Sequence, residues 1–285
     1  MTSPRTLLKA FGIRPRKSMG QHFLTDPNVA AMIVRRAGLD HDDTVLEIGA
    51  GLGALTIPLA RQVKQVLAVE SDHSICTFLK GELLRAGISN VTILEKDILK
   101  CDIESMAGKS GAPLKVVGNL PYNISSRVLM YLINSRRCVD GAVLMFQKEV
   151  AERILAKPGT KTYGRLSVLI QYCARIYPVA RVAASAFFPK PKVDSQVVGV
   201  DFYDPLPFPA EDEPFLFRLT QVSFGKRRKT LKNALLSSAL GFDKSRISLA
   251  LKDANIDPQR RPETLGVEEF VRLASAMKKS TGISA

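Results

Sequence analysis

From Thr44 to Gln147, short β-rich apolar runs alternate with stretches patterned at helical spacing. "TVLEIGAG" reads as a strand running into glycines, and "ALTIPLARQ" as the helix behind it. "QVLAVESD" is a second strand, and "SICTFLKGELLRAG" a helix closed by Gly87. "NVTILEKD", "KVVGNL" and "GAVLMFQ" supply three more strands, with a helix over about 125–134 between the last two. This alternation predicts an α/β fold, a parallel sheet with helices on both faces. Two later β-like runs, "RIYPVARV" and "SQVVGVDFY", are placed to complete the sheet as a hairpin.

The pattern breaks at "DPLPFPAEDEP", where four prolines in eleven residues disfavour regular structure. Beyond it only helical patterns follow: "FLFRLTQVSF", "KTLKNALLSSAL", "SRISLALKDA" and "VEEFVRLASAMKK". The expected organisation is an α/β domain over residues 1–203 and a small all-α domain over 204–285, with no internal repeat.

Charge changes this picture from architecture to partner. Forty-one Lys and Arg against 27 Asp and Glu leave a net +14 and a pI near 9.8. A field of that sign favours polyanions, nucleic acid above all. A merely soluble basic protein is the plain alternative, and an anionic membrane a weaker one, since no long basic amphipathic helix stands out. No run of 18 apolar residues is present, so no membrane span is expected. The first 24 residues lack the apolar core of a secretory signal. They carry Arg5, Lys9, Arg14, Arg16 and Lys17 with no acid before Asp26, which fits a phosphate-contacting arm or part of a targeting signal. Cys76, Cys101, Cys138 and Cys173 lie far apart with no Cys-x-x-Cys pair, which predicts neither a metal site nor a disulfide framework and points to the cytoplasm.

The candidate chemistry sits at strand ends. "EIGAGLG" puts Gly49, Gly51 and Gly53 after the first strand, where the backbone can turn tightly and approach a ligand. The spacing is G-x-G-x-G, not the dinucleotide fingerprint G-x-G-x-x-G. Glu70 ends the second strand, where a carboxylate accepts from both ribose hydroxyls, and Asp97 follows the third, placed to read an adenine amino group. Together the three positions suggest an adenosine-bearing cofactor. NAD competes at this point, and helix capping is the plain alternative for Glu70 and Asp97. The fourth strand ends in "GNLPYNIS", which is either an ordinary turn or a second half of the same pocket.

Taken together, these segments resemble the S-adenosylmethionine-dependent ribosomal RNA adenine dimethyltransferases of the KsgA type. The resemblance runs through "KSMGQHFLTD" (17–26), "EIGAGLGALT" (47–56), "NLPYNIS" (119–125), "QKEVAERILAKPGTKTYGRLSVLIQY" (147–172), "FFPKPKVDS" (187–195) and "FGKRRKTLKN" (224–233). It implies a Rossmann-like methyltransferase sheet with a helical C-terminal domain, S-adenosylmethionine as cofactor, and His22, Leu24, Gly49, Gly51, Glu70, Asp97 and Asn119 around it. The family places His or Asn at the position of His22, so that residue reads as a polar contact rather than a base. The implied substrate is a pair of adjacent adenosines in the 3′-terminal hairpin of small-subunit ribosomal RNA, on the subunit or its precursor.

The resemblance gives the "NLPY" turn a chemical purpose. An adenine N6 lone pair is delocalised into the ring and must be freed for methyl transfer. The Asn119 carboxamide oxygen and the Leu120 carbonyl can accept the amine hydrogens and favour a pyramidal nitrogen. Pro121 fixes the turn, and Tyr122 offers a face for the purine. Phe187 is expected on the other side of the base, although core packing competes for one of Phe187 and Phe188. Lys190 and Lys192, with the run Lys226, Arg227, Arg228 and Lys229, are expected on RNA phosphates, against the alternative of a solvated face. Arg260 is among six further arginines that extend the possible footprint. Two rivals remain open: a large-subunit adenine methyltransferase of the macrolide-resistance type, and an RNA-binding assembly factor whose catalysis is dispensable.

Overall fold

The computed structural model describes residues 4–16, 19–226 and 228–279. Strands β1 (Phe23–Leu24), β2 (Thr44–Ile48), β3 (Gln65–Glu70), β4 (Val91–Glu95), β5 (Leu114–Asn119), β6 (Val139–Gln147), β7 (Ala174–Val182), β8 (Phe187–Phe188) and β9 (Ser195–Phe202) follow in chain order. Seven of them form one sheet in the order β4-β3-β2-β5-β6-β9-β7. The pairs β3–β4, β2–β3, β2–β5 and β5–β6 are parallel, and β9 runs antiparallel to β6. All five residues of β2 are buried, as a strand covered on both faces requires. From β2 the chain moves outward to β3 and β4, then returns to β5 on the other side. The strand order therefore reverses between β2 and β5, and a crevice opens at their carboxyl ends.

The first seven helices are α1 (Pro4–Ala10), α2 (Pro27–Arg36), α3 (Thr56–Ala60), α4 (His73–Arg85), α5 (Ile103–Ser110), α6 (Ser125–Asn134) and α7 (Lys148–Ile154). Helix α4 starts where Asp72 accepts the Ser74 amide, and it buries Ile75, Cys76, Phe78, Leu79 and Leu83. A fully buried leucine such as Leu79 contributes about 1.5–3 kcal/mol by leaving water. The basic N-terminal segment belongs to this unit. Leu8 is buried against Phe23 and Ile75, and Phe11 meets Phe78 edge-on at 4.9 Å. Arg16 lies 3.5 Å from the buried Asp72. Lys17 lies outside the described residues.

The chain divides into two units. One holds Met1–Ala151 and Ile176–Phe202, the other Glu152–Arg175 and Tyr203–Ala285. The composition break near residue 203 thus coincides with one boundary. The second unit also takes in 152–175, which the sequence pattern assigns to the α/β domain. That segment carries α8 (Arg165–Cys173), which packs against α9 (Glu213–Ser223) and α12 (Val267–Lys279); α10 (Leu231–Leu236) and α11 (Lys244–Asp253) complete the unit. Its core includes the fully buried Ile170, Leu219, Leu273 and Phe270.

The expected hairpin is interrupted. β7 and β9 are neighbours at the sheet edge, but the chain between them leaves to form β8, which pairs antiparallel with β1 in a separate two-stranded sheet. Leu24 sits opposite Phe187 and Phe23 opposite Phe188. Among the described residues no helix is long and apolar enough to cross a membrane.

Candidate active site

A cleft lies at the carboxyl ends of β2, β3 and β5. Its walls come from the glycine turn after β2, from Glu70 and Ser71, from Lys96 to Ile98, from Asn119 to Tyr122, and from Met19 to Leu24. Four segments read as separate motifs therefore meet in one place. The fifth, Met19–Leu24, lies in the 17–26 segment that carries the resemblance, with His22 and Leu24 in it.

The glycine turn is built for close approach. Gly49 has φ +77°, and a Cβ there would stand 3.2 Å from the Asn119 carbonyl oxygen. A side chain is excluded by conformation and by space together. The amides of Gly49 and Ala50 both donate to the Val69 carbonyl, at 2.9 and 3.1 Å, which draws the turn across the end of β3.

Glu70 faces this turn. Its Oε2 accepts from the Gly51 amide at 3.1 Å, while Oε1 accepts from Ser71 and Asp72 at 2.8 and 3.0 Å. Burial raises its pKa, and those three amides oppose the rise. The cap of α4 is Asp72, so capping does not explain Glu70. Asp97 is both a cap and part of the cleft wall. Its Oδ1 caps a short 3-10 turn by accepting the Leu99 amide at 3.0 Å, and the residue also lines the cleft.

Glu47 is the residue whose weight the sequence concealed. It sits within β2, is 1% exposed, and its Oε2 has no hydrogen-bond partner. Desolvation pushes its pKa up to about 8, with Thr56 hydrogen bonding opposing the rise and the nearby Glu70 charge adding to it. A carboxyl with that pKa is largely protonated near pH 7, so it presents a neutral group on the wall of the cleft.

At the end of β5, the Asn119 amide nitrogen donates to the His22 carbonyl at 3.0 Å. Leu120 is buried, and its amide donates to the Met145 carbonyl at 3.3 Å. Tyr122 is half-buried, with its hydroxyl 2.6 Å from that of Ser195. His22 stacks on the Tyr122 ring at 5.2 Å between centroids. Leu24 lines the cleft but is itself buried in the main core, where Phe187 joins it.

Phe187 corrects an expectation. Its ring is 3% exposed and does not line the cleft. Successive residues of a strand point to opposite sides. In β8 that sends Phe187 into the main core and Phe188 to a smaller cluster with Phe23 and Leu8. Core packing claims both aromatics.

Lys190 and Lys192 are exposed in the first unit, and Lys226, Arg228 and Lys229 in the second. Arg227 lies outside the described residues. Phe224, beside that run, packs against Phe270 at 5.9 Å and Tyr163 at 6.3 Å, so it anchors the basic loop in the helical core. Arg260 is engaged internally. Its guanidinium forks onto Glu269, with Nη2 to Oε2 at 3.1 Å, and also donates to the Thr264 carbonyl. The fork removes Arg260 from any phosphate footprint.

Comparison with known proteins fits this arrangement. The model of the family described as ribosomal RNA adenine dimethylase matches residues 12–279. A relative from Desulforapulum autotrophicum, called ribosomal RNA small subunit methyltransferase A, is 48% identical over 97% of each chain. A solved dimethyladenosine transferase from Plasmodium falciparum superposes with a TM-score of 0.79 at 28% identity, covering 91% of this chain and 98% of that one. The solved 23S rRNA methyltransferase ErmE gives a TM-score of 0.68 at 25% identity, covering 90% and 99%. A crevice between a glycine turn and an Asn-Leu-Pro-Tyr strand end, on a chain matched nearly from end to end, makes this protein a member of the ribosomal RNA adenine dimethylase family.

Proposed function

We propose that the protein transfers methyl groups from S-adenosylmethionine to the N6 amines of two adjacent adenosines in the 3′-terminal hairpin of small-subunit ribosomal RNA, giving N6,N6-dimethyladenosine. The observation that carries the reading is the state of Asn119. Its nitrogen is committed to His22, and among the described residues its oxygen has no donor on the wall of the cleft.

The cleft suits the cofactor. Glu70 would take the ribose hydroxyls with the lone pairs that its three amides leave, and Asp97 the adenine amine. Gly49 and Gly51 give room for the backbone to approach. Bound there, S-adenosylmethionine supplies an electrophilic methyl group on sulfur.

The remaining work belongs to the chain. The Asn119 oxygen accepts one hydrogen of the adenine amine and the Leu120 carbonyl accepts the other. Two acceptors set out of the purine plane draw the nitrogen toward a tetrahedral shape and return its lone pair to it. Tyr122 holds the purine by stacking, and the closed turn at Pro121 keeps both acceptors at fixed separation. Orientation and proximity supply much of the rate. No nucleophilic side chain is needed, because the substrate amine is itself the nucleophile. The methylated nitrogen is strongly acidic until it sheds its proton, so water can receive it.

Lys190, Lys192, Lys226, Arg228 and Lys229 would meet RNA phosphates, and the extruded adenosine would enter the cleft from its stack. The likeness in sequence is far higher to the small-subunit relative than to ErmE. The test is transfer of labelled methyl groups into isolated small and large ribosomal subunits, followed by digestion to nucleosides. Label in dimethyladenosine from the small subunit is expected. Label confined to large-subunit RNA, or no transfer to either, would overturn the reading.

A further inference from the structure

The clamp requires one orientation of a group that has two. A carboxamide can be turned end for end with almost no change in shape, but only its oxygen can accept an amine hydrogen. Asn119 therefore needs something that distinguishes its nitrogen from its oxygen. Among the described residues that something is the main-chain carbonyl of His22, 3.0 Å from Nδ2. The opposite orientation would set two oxygens against each other.

We infer that His22 is a positioning residue of the base clamp, acting through its carbonyl on Asn119 and held in place for that by the hydrogen bond from its ring nitrogen to the Pro189 carbonyl. The inference rests on the clamp reading of Asn119 and gives His22 a role apart from contact with the cofactor.

The geometry holds His22 from three sides. Its Nδ1 lies 2.7 Å from the Pro189 carbonyl, an acceptor, so Nδ1 carries the hydrogen. That donor is present in the neutral and the charged ring alike. The imidazole also lies over one face of Tyr122, with 29° between the planes. The Tyr122 hydroxyl is fixed in turn by Ser195. On the main chain, Thr25 donates to the Ala186 carbonyl at 2.8 Å through its amide and at 2.9 Å through its hydroxyl. Two residues before His22, Gly20 has φ +63°, and a Cβ there would stand 3.0 Å from Asn123 Oδ1 and 3.2 Å from the Tyr122 nitrogen. The arm and the Asn-Leu-Pro-Tyr turn are thus in contact along several residues. His22 is where the contact decides which atom of Asn119 faces the cleft.

The donor and the ring separate by substitution. His22→Asn keeps a donor at nearly the position of Nδ1 and loses the ring. His22→Phe keeps a ring over Tyr122 and loses the donor to Pro189. His22→Ala loses both. Single-turnover methyl transfer to small subunits, at saturating cofactor, is measured beside calorimetric affinity for S-adenosylmethionine. His22→Ala and His22→Phe should slow transfer by roughly 10–100-fold, the scale of an ångström-level misplacement. Cofactor affinity should stay within about threefold, a small change against that slowing. His22→Asn should recover most of the rate. Because His22 acts largely through Asn119, the double variant His22→Ala/Asn119→Ala should be about as slow as Asn119→Ala alone.

Parent-like transfer by His22→Phe at saturating cofactor would overturn the inference and leave His22 a cofactor contact. Full additivity in the double variant would overturn it as well. If Asn119→Ala itself transfers at the parent rate, the clamp reading falls, and the role of His22 falls with it. Should His22→Ala fail to fold, the Asn and Phe variants still decide, since they differ in the donor and the ring.

Discussion

Glu70 Oε2 accepts the Gly51 amide across 3.1 Å, so the acid that ends one strand also holds the glycine turn of its neighbour. On the proposed reading, ligand contact and turn geometry are joined in one carboxylate. Glu70→Ala should then weaken S-adenosylmethionine binding by about 1.5–3 kcal/mol, the scale of a charge-assisted hydrogen bond. Calorimetry on a folded variant checks this, and unchanged affinity would remove Glu70 from the ribose site.

Asn119→Ala should lower single-turnover methyl transfer by roughly 10²–10³, the cost of removing one preorganised partner from a developing charge. RNA affinity should hold, because phosphate contacts dominate it. Separating mono- from dimethyladenosine gives a finer readout. The second transfer has one amine hydrogen for two acceptors, so the two steps should not fall equally.

Glu47 makes stability depend on pH with a defined sign. Its folded-state pKa, about 8, lies above the ordinary 4.5. Between those values the folded state binds more protons than the unfolded one. The contribution is therefore complete below about pH 4.5 and is lost as pH rises toward 8. Unfolding free energy should fall across this window by up to about 1.4 kcal/mol per pH unit from this group. Glu47→Gln should flatten that dependence. Urea unfolding of parent and variant at pH 5.5 and 8, between which the parent should lose about 3 kcal/mol from this group, decides it. Parallel curves would mean that Glu47 is ionised in the folded protein.

Replacing Lys226, Arg228 and Lys229 with Gln should weaken RNA binding across sequences. The slope of log affinity against log salt should drop by close to one unit for each phosphate that the variant no longer neutralises. Cofactor affinity should not move. An unchanged slope would return the run to an ordinary solvated face.

Much of the parallel sheet was legible because its strands are continuous apolar runs ending in glycine, acid or carboxamide, and those ends are what the cleft uses. The helices of the C-terminal region were equally plain, from Val267–Lys279 in particular, whose apolar stripe is regular. What the pattern hid was long-range pairing. A two-residue strand such as Phe23–Leu24 has no periodicity to detect, and its partner lies over 160 positions away. Without that pairing Phe187 looks available to a base; with it, the ring belongs to the core. Glu47 was hidden for a different reason. A carboxylate in a strand ordinarily faces solvent, and only a sheet covered on both sides turns it into an orphan.

The pairing of β1 with β8 also joins an early product of synthesis to a late one. Met19–Leu24 leave the ribosome early, yet their partners, Ala186 to Pro189, are made more than 160 residues later. At about 5–20 residues per second that delay is on the order of 10–30 s. Through this interval β1 lacks its β8 partner, although Leu8, Phe11 and Arg16 have theirs in Ile75, Phe78 and Asp72. The first segment translated is thus completed in two stages, its contacts with Asp72, Ile75 and Phe78 coming long before its strand pairing.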